Sequence, residues 1–224
     1  ENQLSGSIPP LKLDSLKVAE FALNSISGIG SLQAPKLERL FINSNPIGQL
    51  PVFSLDSLKQ FLASGCQITG ALVQWNTPAL EFVDLSYNQM SALSPGLSYP
   101  KLKYLDLSTN VIAGQLPYWN TPKLEYLNIF NNQLSSVSSE LDYAHLYYFN
   151  IGYNQISGSI PDWEFPAIKE FHGYVNQFSG ALPEFDFPAI EYFDFNHNQL
   201  TGSIPDYTWP ELLYFDLSWN QLTG

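Results

Sequence analysis

The chain is poor in the residues that make covalent cross-links and metal sites. It has one cysteine, Cys66, and three histidines in 224 residues. A lone thiol excludes an internal disulfide framework and a cysteine-rich zinc site. Positive charge is scarce too: nine Lys plus Arg stand against 21 Asp plus Glu, a formal net charge of −12. A surface of that sign repels DNA, RNA and anionic membranes, so no nucleic-acid partner is expected. No apolar run approaches the roughly 18 residues of a membrane span, so no insertion into a membrane is expected. A phosphate loop, a zinc-protease motif and a nucleophile elbow are all missing, and no cofactor is expected. Charged residues make up only 13%, about half the usual share. Hydrophobic residues, at 45%, are ample for a core.

What the chain has instead is a period. Asn2, Asn24, Asn45, Asn88, Asn110, Asn132, Asn154, Asn176, Asn198 and Asn220 share one register, and Cys66 fills the missing place. The steps are 22, 21 and 21 residues, then 22 throughout. Apolar columns follow the same beat at positions −8, −5, −3 and +2 relative to the Asn, as in Leu102, Leu105, Leu107 and Ile112 around Asn110. Positions −5 and −3 are two residues apart, so each repeat carries a short strand with both apolar side chains on one face. One such strand cannot bury its face alone; stacked strands can. Nine residues past the Asn, Trp75, Leu97, Trp119, Leu141, Trp163, Phe185 and Tyr207 read as plugs for the far half of the core. Prolines such as Pro78, Pro122 and Pro188 stand two residues before the −8 column and argue against helices in the return segment. The expected fold is therefore a curved solenoid. It has a parallel β-sheet on the concave face, turns with extended or 3-10 segments on the convex face, and few or no regular helices.

A polar residue repeated inside an apolar stack must be hydrogen-bonded. The Asn amide offers two donors and an acceptor for backbone groups where the chain leaves the strand, and asparagine tolerates unusual turn dihedrals. Asn24, Asn45, Asn88, Asn110, Asn132, Asn154, Asn176, Asn198 and Asn220 are expected to be structural. Cys66, with its weak S–H donor, is expected to be so as well.

The units LKYLDLSTNVIAGQL at 102–116 and LLYFDLSWNQLTG at 212–224 follow L-x-x-L-x-L-x-x-N-x-L and resemble leucine-rich repeats. NQLSGSIP at 2–9, NQISGSIP at 154–161 and NQLTGSIP at 198–205 resemble the plant-type L-[ST]-G-x-[IL]-P signature, in a unit of 22 residues rather than about 24. The resemblance covers residues 1–224 as one domain of about ten repeats. That domain is expected to be excised from, or to continue into, a larger chain. Cysteine-paired caps and N-x-[ST] glycosylation acceptors are absent, which fits a bacterial surface or secreted protein or an excised array. The resemblance implies an α/β-type leucine-rich repeat horseshoe, an extracellular or cell-surface location, and a binding scaffold rather than an enzyme.

In each strand, positions −6, −4 and −2 alternate with the buried pair and line the concave face. From residue 82 onward they form an aromatic stripe beside a carboxylate and amide stripe. The candidate ligand-binding residues are Tyr104, Asp106, Tyr126, Asn128, Phe130, Tyr148, Asn150, Glu170, His172, Tyr174, Tyr192, Asp194, Tyr214 and Asp216. Rigid rings with polar handles beside directional acceptors suit a protein, a peptide or a glycan. The competing reading is sheet packing, since aromatic cross-strand neighbours stabilise strands by themselves. The repeat IKEFHGYVNQF at 168–178 breaks the pattern: Glu170 replaces Tyr, and Gly173 leaves a core gap for Tyr174 or Phe195 to fill. Stacked pairs such as Asp84 with Asp106 lie at a spacing used by carboxylate catalysts, but an open face gives no closed pocket, and no metal site is specified. The leading expectation is a recognition or adhesion module. The alternatives are a structural spacer in a cell-surface protein and an ice-binding solenoid using the +3 hydroxyl column (Ser5, Thr69, Ser135, Thr201). Flanking domains or end-to-end self-association would cover the bare solenoid ends.

Overall fold

The structure, a computed structural model, describes residues 2–224. Every repeat contributes one rung to a ten-stranded parallel sheet: Val18–Glu20, Arg39–Phe41, Gln60–Leu62, Phe82–Asp84, Tyr104–Asp106, Tyr126–Asn128, Tyr148–Asn150, Glu170–His172, Tyr192–Asp194 and Tyr214–Asp216. Strand order follows chain order, and equivalent residues pair without slippage, Tyr104 with Tyr126 and Leu105 with Leu127. Among the described residues there is no helix of any kind. The return segments are turns and short extended pieces, as the prolines require.

The core is one continuous cluster running the length of the solenoid. Its sheet half is made by the −5 and −3 columns, for example Leu105, Leu107, Phe149 and Ile151. Its convex half is plugged by Trp75, Leu97, Trp119, Leu141, Trp163 and Phe185, all buried. Toward the C-terminal end aliphatic residues give way to rings. Phe149, Phe165, Phe171, Phe187, Phe193 and Phe195 are fully buried and pack edge-on or stacked.

The asparagines form a second, polar ladder. Asn110 Nδ2 lies 3.0 Å from Leu85 O in the preceding repeat, 3.0 Å from Leu107 O and 3.3 Å from Ser108 O. Its Oδ1 accepts the Met90 N–H at 2.9 Å. Each amide thus staples its own turn to the repeat before it, and the same set recurs at Asn132, Asn154, Asn176 and Asn198.

The unusual dihedral falls one residue earlier than the asparagine. Leu23, Ser44, Tyr87, Thr109, Asn131, Tyr153, Val175, His197 and Trp219 all have φ between 51° and 57°. That region costs an L-residue about 1–2 kcal/mol, and a β-branched one is the worst fit. The chain accepts it because the backbone there must present its carbonyl and amide to the next rung, as with Val175 N–H to Asn196 O at 3.0 Å. Val175→Gly is accordingly expected to raise stability by about 1 kcal/mol, read as a shifted urea midpoint. An unchanged or lowered midpoint would show that the Val175 side chain repays its strain.

A second row of strands, which the sequence pattern does not announce, lies beyond the Asn turns. Ser5–Ile8 pairs with Ser25–Ile29, Thr69–Leu72 with Gln89–Leu93, and Ala113–Leu116 with Gln133–Val137, each pair through a register shift. From residue 157 the row becomes one four-stranded sheet of Ser157–Gly158, Gln177–Gly180, Gln199–Gly202 and Gln221–Leu222. The reason is the residue four past the Asn. Gly6, Gly70 and Gly114 have positive φ while Gly28, Ala92 and Ser136 in the repeats they pair with do not, so a bent strand meets a straighter one and the two match only through a bulge. From Gly158 onward every repeat bends, and the strands stack evenly.

The row is interrupted between Ser25–Ile29 and Thr69–Leu72. Pro46 has no N–H to give, and Cys66 has no amide oxygen to receive the Ile47 N–H. That N–H turns to its own neighbour, Asn45 O, at 2.8 Å. Cys66 keeps half of the asparagine's role: its Sγ donates to Ile42 O at 3.1 Å, and burial pushes the thiol pKa up. The side chain thus supplies the asparagine's donor contact without its acceptor.

Candidate functional site

Because the strands stack in register, the −6 side chains stand directly over one another. Phe82, Tyr104, Tyr126 and Tyr148 form an unbroken stack with ring centroids 4.0, 4.2 and 4.3 Å apart and planes within 9°. The stack stops at Glu170 and resumes with Tyr192 and Tyr214, 5.9 Å apart. Burial by the flanking rings pushes the Tyr104 phenol up to about 12, with the Asp106 carboxylate adding to the shift. Tyr126 and Tyr148 are raised as well, again mainly by burial. The stack therefore stays neutral and keeps its O–H donors at physiological pH.

The Tyr104 shift has a stability consequence. In the unfolded chain the phenol ionises near its ordinary value of about 10, whereas in the fold it holds its proton to about 12. The contribution is therefore fully present below pH 10 and is lost as pH rises from 10 toward 12. A phenolate absorbance titration should show Tyr104, read as the difference between wild type and Tyr104→Phe, ionising well above the ordinary phenol value of about 10. Ionisation near that ordinary value would show that the stack is open to water.

The −4 side chains have a task that the sequence reading left out. Asp106 Oδ1 accepts the Ser108 N–H at 2.8 Å, and Asn128, Asn150, Asp194 and Asp216 accept the N–H two residues on in the same way. Each caps the end of its strand through a local Asx turn. The signal was legible as D-x-S at 84–86, 106–108 and 216–218. Asp84 also accepts the Ser86 hydroxyl at 2.7 Å, and Ser86 meets Ser64 at 2.8 Å.

The stacked acids are relieved by amides rather than by cations. Asn128 Nδ2 donates to Asp106 Oδ2 at 3.1 Å. Asn196 Nδ2 donates to Asp194 at 2.7 Å and to Asp216 at 3.2 Å, bridging the two carboxylates. Burial raises Asp106 and Asp194 above the usual carboxylate range, while the Ser218 donors hold Asp216 below it. An open face can thus raise a carboxyl pKa, by packing it under its neighbours.

The −2 column joins the stripe near its centre. Phe130 meets Tyr153 at 5.4 Å and Tyr174 at 6.1 Å, and Tyr153 meets Tyr174 edge-on at 5.7 Å. His172 touches this group through Tyr148 and Tyr174. Tyr153, half exposed at position −1, belongs to the cluster although the alternation alone did not select it. Gly152 makes the arrangement possible, since a Cβ there would stand 2.9 Å from the Tyr174 ring. The gap at Gly173 is no pocket: a Cβ would lie 2.3 Å from Phe195, whose ring fills the space. The structure therefore brings Tyr104, Tyr126, Tyr148, Phe130, His172 and Tyr174 onto one surface. Tyr192, Asp194, Tyr214 and Asp216 form its C-terminal continuation.

Charge is divided unevenly along the chain. Up to Lys123, eight Lys and Arg balance eight acids; beyond it Lys169 alone stands against thirteen acids. Lys169 is itself paired with Glu191 at 2.7 Å. Among the described residues no group of three His, Cys, Asp or Glu could hold a metal ion.

Parallel rungs, a concave sheet and a buried Asn ladder define the leucine-rich repeat class. The family model described as Leucine Rich Repeat matches residues 189–209. The chain has the repeat pattern and the fold of leucine-rich repeat proteins. It is similar to Toll-like receptor 4 of Felis catus, 36% identical over 88 residues, which is 36% of this chain and 11% of that protein. Over its whole length it superposes on the plant peptide hormone receptor RGFR1 in complex with RGF2, with a TM-score of 0.76, 25% identity and 43% of that chain covered. It likewise shares the fold of PEPR1 in the PEPR1–AtPEP1 structure, with a TM-score of 0.70, 22% identity and coverage of 100% and 41%. The chain thus spans less than half the length of these relatives.

Proposed function

We propose that this chain is a non-enzymatic recognition module that binds an extended peptide or protein segment along its concave sheet, outside the cell. The observation that carries this reading is the uninterrupted ring stack beside a row of amide and carboxylate acceptors. Neutral phenols and fixed acceptors give a rigid surface that loses little entropy on binding. The fold shared with a receptor in complex with its peptide hormone supports the peptide class over a glycan. The hydroxyl column of the ice-binding alternative lies on the second strand row, which is split into bulged pairs over the first half and offers no even lattice there.

Selection from a random peptide display library tests the reading. Selected peptides should lose about tenfold or more in affinity on Tyr126→Ala and on Tyr148→Ala, as central aromatic anchors do. Thr69→Ala on the second row should leave binding unchanged. Peptides indifferent to both tyrosines would remove the concave face as the site, and a library yielding no binder would favour the spacer.

A further inference from the structure

The ring stack is one ring short. Tyr148, Glu170 and Tyr192 are register partners on three consecutive strands, so Glu170 stands where the column from Phe82 onward otherwise places an aromatic ring. Parallel strands lie about 4.8 Å apart, so Tyr148 and Tyr192 flank a gap of roughly 10 Å. A single planar group centred there would sit about 5 Å from each ring. The unbroken part of the stack shows ring spacings of 4.0–4.3 Å. The Glu170 side chain is 42% exposed, so the gap opens to solvent. Among the described residues only His172 bonds this carboxylate, Nε2 to Oε2 at 3.3 Å. The adjacent lysine does not neutralise it, since Lys169 is held by Glu191.

We propose that Tyr148, Glu170 and Tyr192 form a slot for the guanidinium of an arginine carried by the peptide partner. The assignment rests on the concave-face reading above and adds the chemistry of one subsite. A guanidinium is planar, stacks on aromatic faces and pairs bidentately with a carboxylate, so it meets all three walls at once. A lysine ammonium meets the carboxylate but cannot complete the stack. The acidic half of the chain, with its single committed lysine, supplies a field that favours a cation at this position.

The probe is N-acetyl-arginine amide, titrated against protein with labelled tyrosine rings and followed by NMR. In the wild type the Tyr148 and Tyr192 ring signals should move together and saturate in the millimolar range, roughly as expected for one stacked ion pair. The citrulline analogue, of the same shape but uncharged, should bind about fivefold more weakly or worse, and Glu170→Gln should weaken arginine similarly. Glu170→Tyr, which inserts the ring that the register calls for, should abolish the shifts without lowering the melting temperature. Equal binding of arginine and citrulline, or arginine binding that survives Glu170→Tyr, would overturn the slot. Tyr126-dependent library peptides that lack arginine would also overturn the slot while leaving the concave-face reading intact. Slot binding without any selected peptide would do the reverse.

Discussion

Replacing Asn132 by alanine is expected to cost about 2–4 kcal/mol, although the residue touches no ligand surface. The size follows from what the amide serves. Ile112 N–H is fully buried and has Asn132 Oδ1 as its acceptor at 3.0 Å. Alanine leaves that donor with no partner. Leu107 O and Ile129 O fare better, because each also receives the Asn110 or the Asn154 amide and loses one of two bonds. One orphaned donor and two half-satisfied acceptors sum to the stated range, since an unsatisfied buried group costs about 1–3 kcal/mol. The same change at Asn24, half exposed at the first turn, should cost about 1 kcal/mol or less, as water replaces the lost partners. Urea unfolding of both variants checks the contrast. Equal losses, or a loss at Asn132 below about 1 kcal/mol, would mean that apolar packing alone holds the rungs.

Gly173→Ala should be the most damaging small substitution on the concave side. The added Cβ would lie 2.3, 2.5 and 2.8 Å from three atoms of the Phe195 ring. That ring is walled in by Phe171 at 4.8 Å and Phe193 at 4.8 Å and cannot retreat. Overpacking of this kind costs about 1–3 kcal/mol and occasionally more. Phe195→Leu alone should also destabilise, by opening a cavity in the same place. The double change Gly173→Ala with Phe195→Leu should recover to within about 1 kcal/mol of the wild type, a coupling seen only between residues that share one space. Thermal melts of the four proteins decide it. Strict additivity would show that glycine and ring are not a matched pair.

These two expectations mark what the chain discloses as text and what it does not. The rungs, the inward Leu, Ile and Phe columns and the structural Asn were legible because side-chain type repeats at fixed spacing. The left-handed residue was not, because its position holds Leu, Ser, Tyr, Thr, Val, His and Trp in turn. Its geometry is imposed by backbone bonding between rungs rather than by any side-chain preference. The second strand row was hidden for a similar reason, since the pattern there reads as a Ser/Thr-Gly signature rather than as alternation. On the candidate face the ring columns were legible and their stacking followed from register. The capping task of Asp106 and its equivalents was not drawn from the D-x-S spacing. Those carboxylates spend one oxygen on the fold, so beside the rings, Glu170 and His172 they stand as acceptors already fixed in place.

The alternation of bent and straight second-row strands has a consequence for how such a gene can lengthen. Between Cys66 and Asn154 the shared beat is two turns, so a viable cassette there is about 44 residues, and inserting an odd number of single turns would set two bent or two straight strands side by side. Beyond Asn154 every second-row strand bends alike, so one added turn of 22 residues meets a like strand on either side. The half that carries the acidic charge is thus also the half free to vary in length by single steps.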